Sequence, residues 1–200
     1  MNATCAGLIK VNASALPQLR TLLWPEGQAS AGEQVYWLLD GARDPKISKL
    51  VRYGEPKFWC LYSGELTPRL RAAAPYLVQL MPSSPDTLKL LSEGWGQAWG
   101  IFIVAPAALD MFRVRLHCKK LLRAQTEEGK PLMFRYYDPR VLSTYLPTCT
   151  NEEFTKFLGP LKRLLVELDN GTRWQMFDRE AQTMRSASGD FDLAASLFSR

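Results

Sequence analysis

The sequence predicts an α/β protein of the mixed α+β kind. We expect a central mixed sheet of about five strands, covered by helices, with a smaller C-terminal helical and hairpin part. Short apolar and aromatic runs recur along the chain, and helix-start signals stand between them. The 200 residues, 46% of them hydrophobic, suffice for a substantial core. Strands that alternate with helices favour a sheet covered by helices.

The first half of the chain carries four of the predicted strands. Residues 1–33 form a lead-in, in which 16–24 predict a short helix. The strands are short, apolar runs closed by turn residues, at 34–40, 58–62, 76–80 and 100–104. The intervening helices begin at Pro, which suits the first helical turn. They cover residues 45–53, 68–74, 85–94 and 106–123.

The second half begins after a polar turn at 125–130. Leu132–Tyr136 predicts the fifth strand, and a helix follows from Pro139. The remaining elements are a helix at 152–158, a hairpin of 164–168 with 173–177 around Asn170-Gly171, and a terminal helix at 191–198. The polar turn suggests a 34–125 α/β lobe and a 126–200 C-terminal lobe after the 1–33 lead-in. One continuous domain over 1–200 stays open.

Composition excludes several classes of protein. No run reaches the roughly 18 apolar residues of a membrane span, and no signal peptide is visible, so we expect a cytoplasmic protein that does not insert into membranes. The net charge of +5 permits acidic partners without demanding them. The aromatic residues lie mostly in apparent core strands and do not interleave with Lys and Arg, which disfavours nucleic acid.

Catalytic and metal motifs are missing from the sequence. His117 is the single histidine, and the four cysteines are too widely spaced for a zinc site, so we expect no metal and no cofactor. Adjacent on a helix, His117 and Cys118 point about 100° apart, which suits a nucleophile and its base poorly. We therefore predict no catalytic residues. An enzyme with a cryptic site and a basic nucleic-acid-binding domain remain the alternatives.

The longest predicted helix carries a candidate partner surface. One face of it, with Met111, Val114 and Cys118, reads as core. The opposite side presents a smaller apolar stripe between two basic ranks, a pattern suited to an amphipathic acidic segment. The candidate binding residues are Leu109, Phe112, Arg113, Leu116, His117 and Lys120. The alternative is a helix buried on two sides with solvated charges between them.

The junction at Asp138-Pro139 carries charges of both signs. Asp138 suits a helix N-cap, and Arg135 and Arg140 stand close to it in the sequence. A purely structural role explains these charges, although they can also organise a binding surface.

Several segments together resemble a known family. They are residues 38–44, 74–80, 94–102, 134–142 and 157–160. Their order resembles the bacterial domain of unknown function linked to type VI secretion, over about residues 34–160. The stretch Phe-Arg-Tyr-Tyr-Asp-Pro-Arg-Val-Leu from Phe134 is the most specific of them.

The resemblance implies a non-catalytic adaptor-chaperone. Such a protein binds the N-terminal region of a toxic effector, in some cases its transmembrane or prefusion segments, and loads the effector onto the VgrG spike. Family motif positions correspond here to Asp40, Arg43, Arg135, Tyr137, Asp138 and Arg140. The part after Pro160 is weakly patterned, and the resemblance does not assign it a role.

Overall fold

An antiparallel sheet of seven strands forms the centre of the molecule. The computed structural model describes residues 15–25, 32–53, 57–125, 128–180 and 183–191. The strands lie in the order β2-β3-β1-β4-β7-β8-β9. Their bounds are β1 Glu33–Asp40, β2 Phe58–Cys60, β3 Pro75–Leu80, β4 Gly100–Pro106, β7 Arg163–Leu168, β8 Arg173–Glu180 and β9 Thr183–Asp190. A separate hairpin pairs β5 Arg123–Gln125 with β6 Pro131–Met133.

Helices cover both faces of this sheet. They are α1 at residues 15–23, α2 Pro45–Tyr53, α3 Pro68–Ala72, α4 Pro85–Gly94, α5 Met111–Leu121, α6 Pro139–Tyr145 and α7 Asn151–Leu158. Short 3-10 turns occupy Leu146–Thr148 and Asp169–Gly171. Within the described ranges, no helix has the length and hydrophobicity that crossing a bilayer requires.

The alternation of side chains along the strands divides the core into two layers. Tyr36 and Leu38 of β1 face a cluster that includes buried residues of α5, α6 and α7. Trp37 and Leu39 face the opposite cluster, which includes buried residues of α1, α2 and α4. Trp37 stacks on Phe102 of β4, its register partner, with 4.5 Å between the ring centroids. The molecule is therefore a three-layer arrangement of helices, sheet and helices.

Local capping explains where several helices begin. The Asp138 carboxylate accepts from the Arg140 amide, and Pro139 takes the first turn of α6, as predicted. Ser84 caps α4 in the same way. The long helix begins at Met111, five residues after the predicted Pro106, because Asp110 caps it through the amide of Arg113.

The prediction of a mixed sheet of about five strands was wrong in two respects. Every strand pair among the described residues is antiparallel, and the C-terminal hairpin extends the main sheet because β7 pairs with β4. The fifth strand, expected at Leu132–Tyr136, covers only Pro131–Met133 in the structure and belongs to the separate hairpin. It ends there because the chain turns toward the Asp138 cap.

Two further predictions concern the ends of the chain, and a third concerns its division into lobes. The lead-in helix expected at 16–24 lies at 15–23. The terminal helix expected at 191–198 lies outside the described residues, apart from Phe191. Strands from both predicted lobes belong to the same sheet; the division into lobes stays a prediction.

Candidate binding surface and the charge network beside the sheet

Three buried carboxylates lie near the end of β1, and the first belongs to Asp40. Asp40 is the last residue of β1 and is fully buried. Its carboxylate accepts from the Ala42 amide at 3.0 Å and from the guanidinium of Arg135, a residue 95 positions later in the chain. The Arg135 side chain is half exposed, and its bond to Asp40 raises the pKa of the Arg135 guanidinium. This ion pair joins the end of β1 to the segment before α6.

The second carboxylate belongs to Asp138 and serves α6 twice. It accepts from the Arg140 amide at 3.0 Å and from the Arg140 guanidinium at 2.9 and 2.5 Å. Burial alone would raise the pKa of Asp138, but the bonds and charge of Arg140 outweigh it and hold this pKa below its usual value. The cap and the ion pair therefore act together at one helix start.

The third carboxylate, Glu167 in β7, is absent from the sequence-based candidates. It accepts from the Gly96 amide at 2.5 Å and from the Ala98 amide, in the turn before β4. Burial raises the pKa of Glu167 to about 7, against the opposing effects of those two amides and of Arg43. Its sequence signal is a single acidic residue inside the apolar run 164–168.

Arg43 and Tyr137 complete the set of motif residues. Arg43 is exposed and donates to the Gln97 carbonyl at 3.5 Å, and its charge lowers the pKa of Asp138 and favours ionised Glu167. Tyr137 is buried beside Tyr62, and burial raises its pKa, with a smaller contribution from Asp40. The fold thus gathers the six motif residues into one region, which we call the charge network together with Glu167.

The outer side of α5 differs from the charge network. Its core side follows the prediction: Met111, Val114 and Cys118 are buried. Phe112 is 49% exposed, and Leu116 is also exposed, while Leu109 is half-buried against the core. Phe112 and Leu116 therefore lie on the solvent side of α5, whereas Leu109 packs against the core, and the role of all three in partner binding stays a prediction.

The basic rank that contains Arg113, His117 and Lys120 is only partly open to solvent. Arg113 forms an exposed ion pair with Asp110 at 3.8 Å, and Lys120 is exposed. His117 turns toward α7, where its Nε2–H donates to the Phe157 carbonyl at 2.8 Å. Burial lowers the pKa of His117, so the neutral ring is favoured. This histidine packs between helices and offers little free surface.

Cys118, the neighbour of His117, is poorly suited to nucleophilic chemistry. It is fully buried, and burial raises the pKa of its thiol to about 12. A reactive cysteine needs a lowered pKa and access to substrate. Within the described residues, no group of three or more His, Cys, Asp or Glu side chains is placed to hold a metal ion.

The opposite basic rank, Arg115, Lys119 and Arg123, runs beside the edge strand β2. The Arg115 guanidinium donates to the Cys60 carbonyl at 2.7 Å and lies 5.3 Å from the ring centroid of Trp59. The Phe112 ring meets Trp59 edge-on at 6.0 Å. Trp59 is 39% exposed although its apolar run predicts a core strand. We call Trp59, Phe112, Arg115, Leu116 and Lys119 the β2–α5 surface.

The family of the chain follows from comparison with known proteins. The family model described as "Domain of unknown function (DUF4123)" matches residues 35–156. The chain belongs to this family. No curated protein and no solved structure matches it.

The DUF4123 match covers the β2–α5 surface and every residue of the charge network except Glu167. It includes Asp40, the motif around Asp138 and all of α5, and it ends within α7. Glu167 and strands β7 to β9 lie beyond it, although Glu167 completes the charge network.

Sequence reasoning missed the contribution of β2 to the candidate surface. The order of strands in a sheet depends on contacts distant in sequence, so the aromatic run at 58–62 did not reveal an edge position. The available signal was the spacing of Phe112, Leu116, Lys119 and Arg123, which share one side of a helix.

Proposed function

We propose that this DUF4123 chain is a cytoplasmic adaptor-chaperone of type VI secretion, which binds a toxic effector, stabilises it and promotes its loading onto the VgrG spike. The effector's N-terminal segment is the expected contact. Family membership supports this role, because the motifs around Asp40 and Asp138 resemble those of adaptors in that system.

The β2–α5 surface is the observation that carries the proposal. It combines exposed aromatic rings with cations that have no carboxylate partner among the described residues. Tryptophan, tyrosine and arginine dominate the binding energy of protein interfaces. A surface of this composition suits a protein partner.

The candidate catalytic groups are occupied in ways that favour binding over chemistry. The Cys118 thiol is buried, His117 bonds a backbone carbonyl, and the carboxylates of the charge network bond arginines and amides. Such contacts hold the fold, and they leave none of these groups as a nucleophile beside a free base in the part of the chain that the structure describes. We therefore propose a non-catalytic role.

Co-expression with the type VI toxic effectors and VgrG proteins encoded in the same genome tests the proposal. The adaptor role predicts a complex that survives affinity purification and size-exclusion chromatography, and toxin that accumulates only when the chain is present. Failure to form a complex with either protein would refute it.

A further inference from the structure

An apolar groove lies beside the β2–α5 surface. It lies between residues 61–70 on one side and the end of α5 with the β5–β6 hairpin on the other, and it has a volume of about 370 Å³. Leu66, Leu70, Leu122 and Met133 supply its apolar lining. Leu70 is 51% exposed and Met133 is 54% exposed, so two large apolar side chains stand open to solvent at one place. Clustered exposure of this kind marks interaction sites.

The charged residues that line the groove are both basic. They are Lys119 and Arg123, and neither has a carboxylate partner in the part of the chain that the structure describes. Lys119 donates to the Ser63 hydroxyl at 2.5 Å. The adjoining segment carries Arg69 and Arg71 against a single Glu65. An acidic partner would therefore meet a complementary potential here.

The rim of the groove is held in place before any partner arrives. Arg115 bonds the Cys60 carbonyl at 2.7 Å, the Tyr62 carbonyl at 3.4 Å and the Ser63 hydroxyl at 3.4 Å. These bonds fix its position over Trp59, and a preorganised surface loses less entropy on binding.

The same bonds restrict how a partner can bind. The backbone N–H and C=O of Cys60 point away from β3. In an antiparallel pair, alternate residues bond the partner strand, and here the neighbouring Leu61 amide donates to the Pro75 carbonyl. The outward Cys60 carbonyl, which an added strand would need, is occupied by Arg115. A strand added at β2 would have to displace or share this bond, which favours binding through side chains in the groove.

We propose that the groove receives an amphipathic segment of the effector, with apolar side chains against Leu70 and Met133 and carboxylates facing Lys119 and Arg123. This assignment rests on the adaptor role proposed above and adds the docking site and the chemistry of the segment. A second copy of this chain is a poorer occupant, because its net charge of +5 opposes the basic rim.

Site-specific photocrosslinking tests the groove. Benzoylphenylalanine replaces Leu70, Met133 or, as a matched control, the exposed Leu88 of α4, and each variant is co-expressed with the toxin that the wild-type chain binds in the co-expression experiment. We expect crosslinks to the toxin from positions 70 and 133 and none from 88. Mass spectrometry should place them in a segment with apolar residues three or four apart and acidic residues between them.

Charge reversal provides the second measurement. Lys119→Glu with Arg123→Glu should weaken toxin binding at least ~10-fold, while Lys46→Glu with Lys49→Glu on α2 makes the same change in net charge and should leave the Kd unaltered. Equal effects of the two pairs, crosslinks from Leu88 alone, or crosslinks to a second copy would overturn the groove assignment. A wild-type chain that forms no complex refutes the adaptor role as well, whereas a wild-type complex without groove crosslinks refutes only the groove.

Discussion

The charge network and the β2–α5 surface differ in how their charges are neutralised. In the charge network, Asp40, Asp138 and Glu167 are buried and bond arginines or backbone amides of the same chain. On the β2–α5 surface, cations stand beside exposed aromatic rings without a carboxylate partner among the described residues. The bonds of the charge network stabilise the fold, whereas the cations and aromatic rings of the β2–α5 surface are available to contact another molecule.

We therefore expect the most specific sequence motif and the candidate binding surface to have different roles. The stretch around Asp138 identifies the family, yet its charges hold β1 and α6 in place. Mutations in the two regions should therefore separate stability from binding.

The largest expected effect concerns Glu167 and pH. Its pKa of about 7 in the folded chain exceeds the ordinary 4.5, so its contribution to stability is fully present below about pH 4.5 and is lost as the pH rises through 7. At 1.36 kcal/mol per pH unit, the gap limits this loss to ~3 kcal/mol. Denaturant unfolding of the wild type and of Glu167→Gln at pH 5 and pH 8 should show the wild type losing more.

The control for this experiment is Glu152→Gln. Glu152 is exposed, and its ion pair with Lys156 holds its pKa below the usual value, so it does not titrate between pH 5 and pH 8. This variant should follow the wild-type profile. If Glu167→Gln followed it too, Glu167 would already be ionised at pH 5 in the folded chain, and burial would not raise its pKa.

A smaller loss of stability is expected from Arg135→Gln. The substitution leaves the buried Asp40 carboxylate with the Ala42 amide but without its cation, which should cost ~1–3 kcal/mol because Arg135 itself is half exposed. Arg113→Gln removes an exposed pair and should cost less than ~0.5 kcal/mol. Equal unfolding free energies for the two variants would place the Asp40 pair outside the stabilising network.

The smallest effect on stability is expected on the β2–α5 surface. Phe112→Ser removes an exposed ring, so the free energy of unfolding should change by less than ~0.5 kcal/mol. Toxin binding should nevertheless weaken ~10-fold in a titration by isothermal calorimetry, because aromatic anchors dominate interfaces. The exposed Leu88→Ser on α4 is the control, and equal affinities of the two variants would remove Phe112 from the interface.

The comparison also shows which features the sequence could reveal. Helix starts at Asp138-Pro139 and Ser84-Pro85 were predictable because a cap is a contact between close neighbours. The hairpin around Asn170-Gly171 was predicted for the same reason, and both residues adopt positive φ. The six motif residues were identified from the family resemblance.

Other features depend on pairing between distant segments. Strand β9 has no apolar alternation and exists through its ladder with β8, so its sequence predicts no strand. The edge position of β2 and the burial of Glu167 follow from the order of strands in the sheet. For these reasons the groove beside β2 was not predictable from residue patterns.

The central claim is that binding and stability reside in different charged regions, and one paired measurement tests it most directly. Toxin affinity and Tm are measured for Arg135→Gln and for Lys119→Glu with Arg123→Glu, with binding recorded well below both Tm values. We predict that Arg135→Gln lowers Tm by about 2–4 °C per kcal/mol lost and keeps its affinity, while the double reversal keeps its Tm and loses at least ~10-fold in affinity. Weakened binding by folded Arg135→Gln, together with full affinity of the double reversal, would contradict the account.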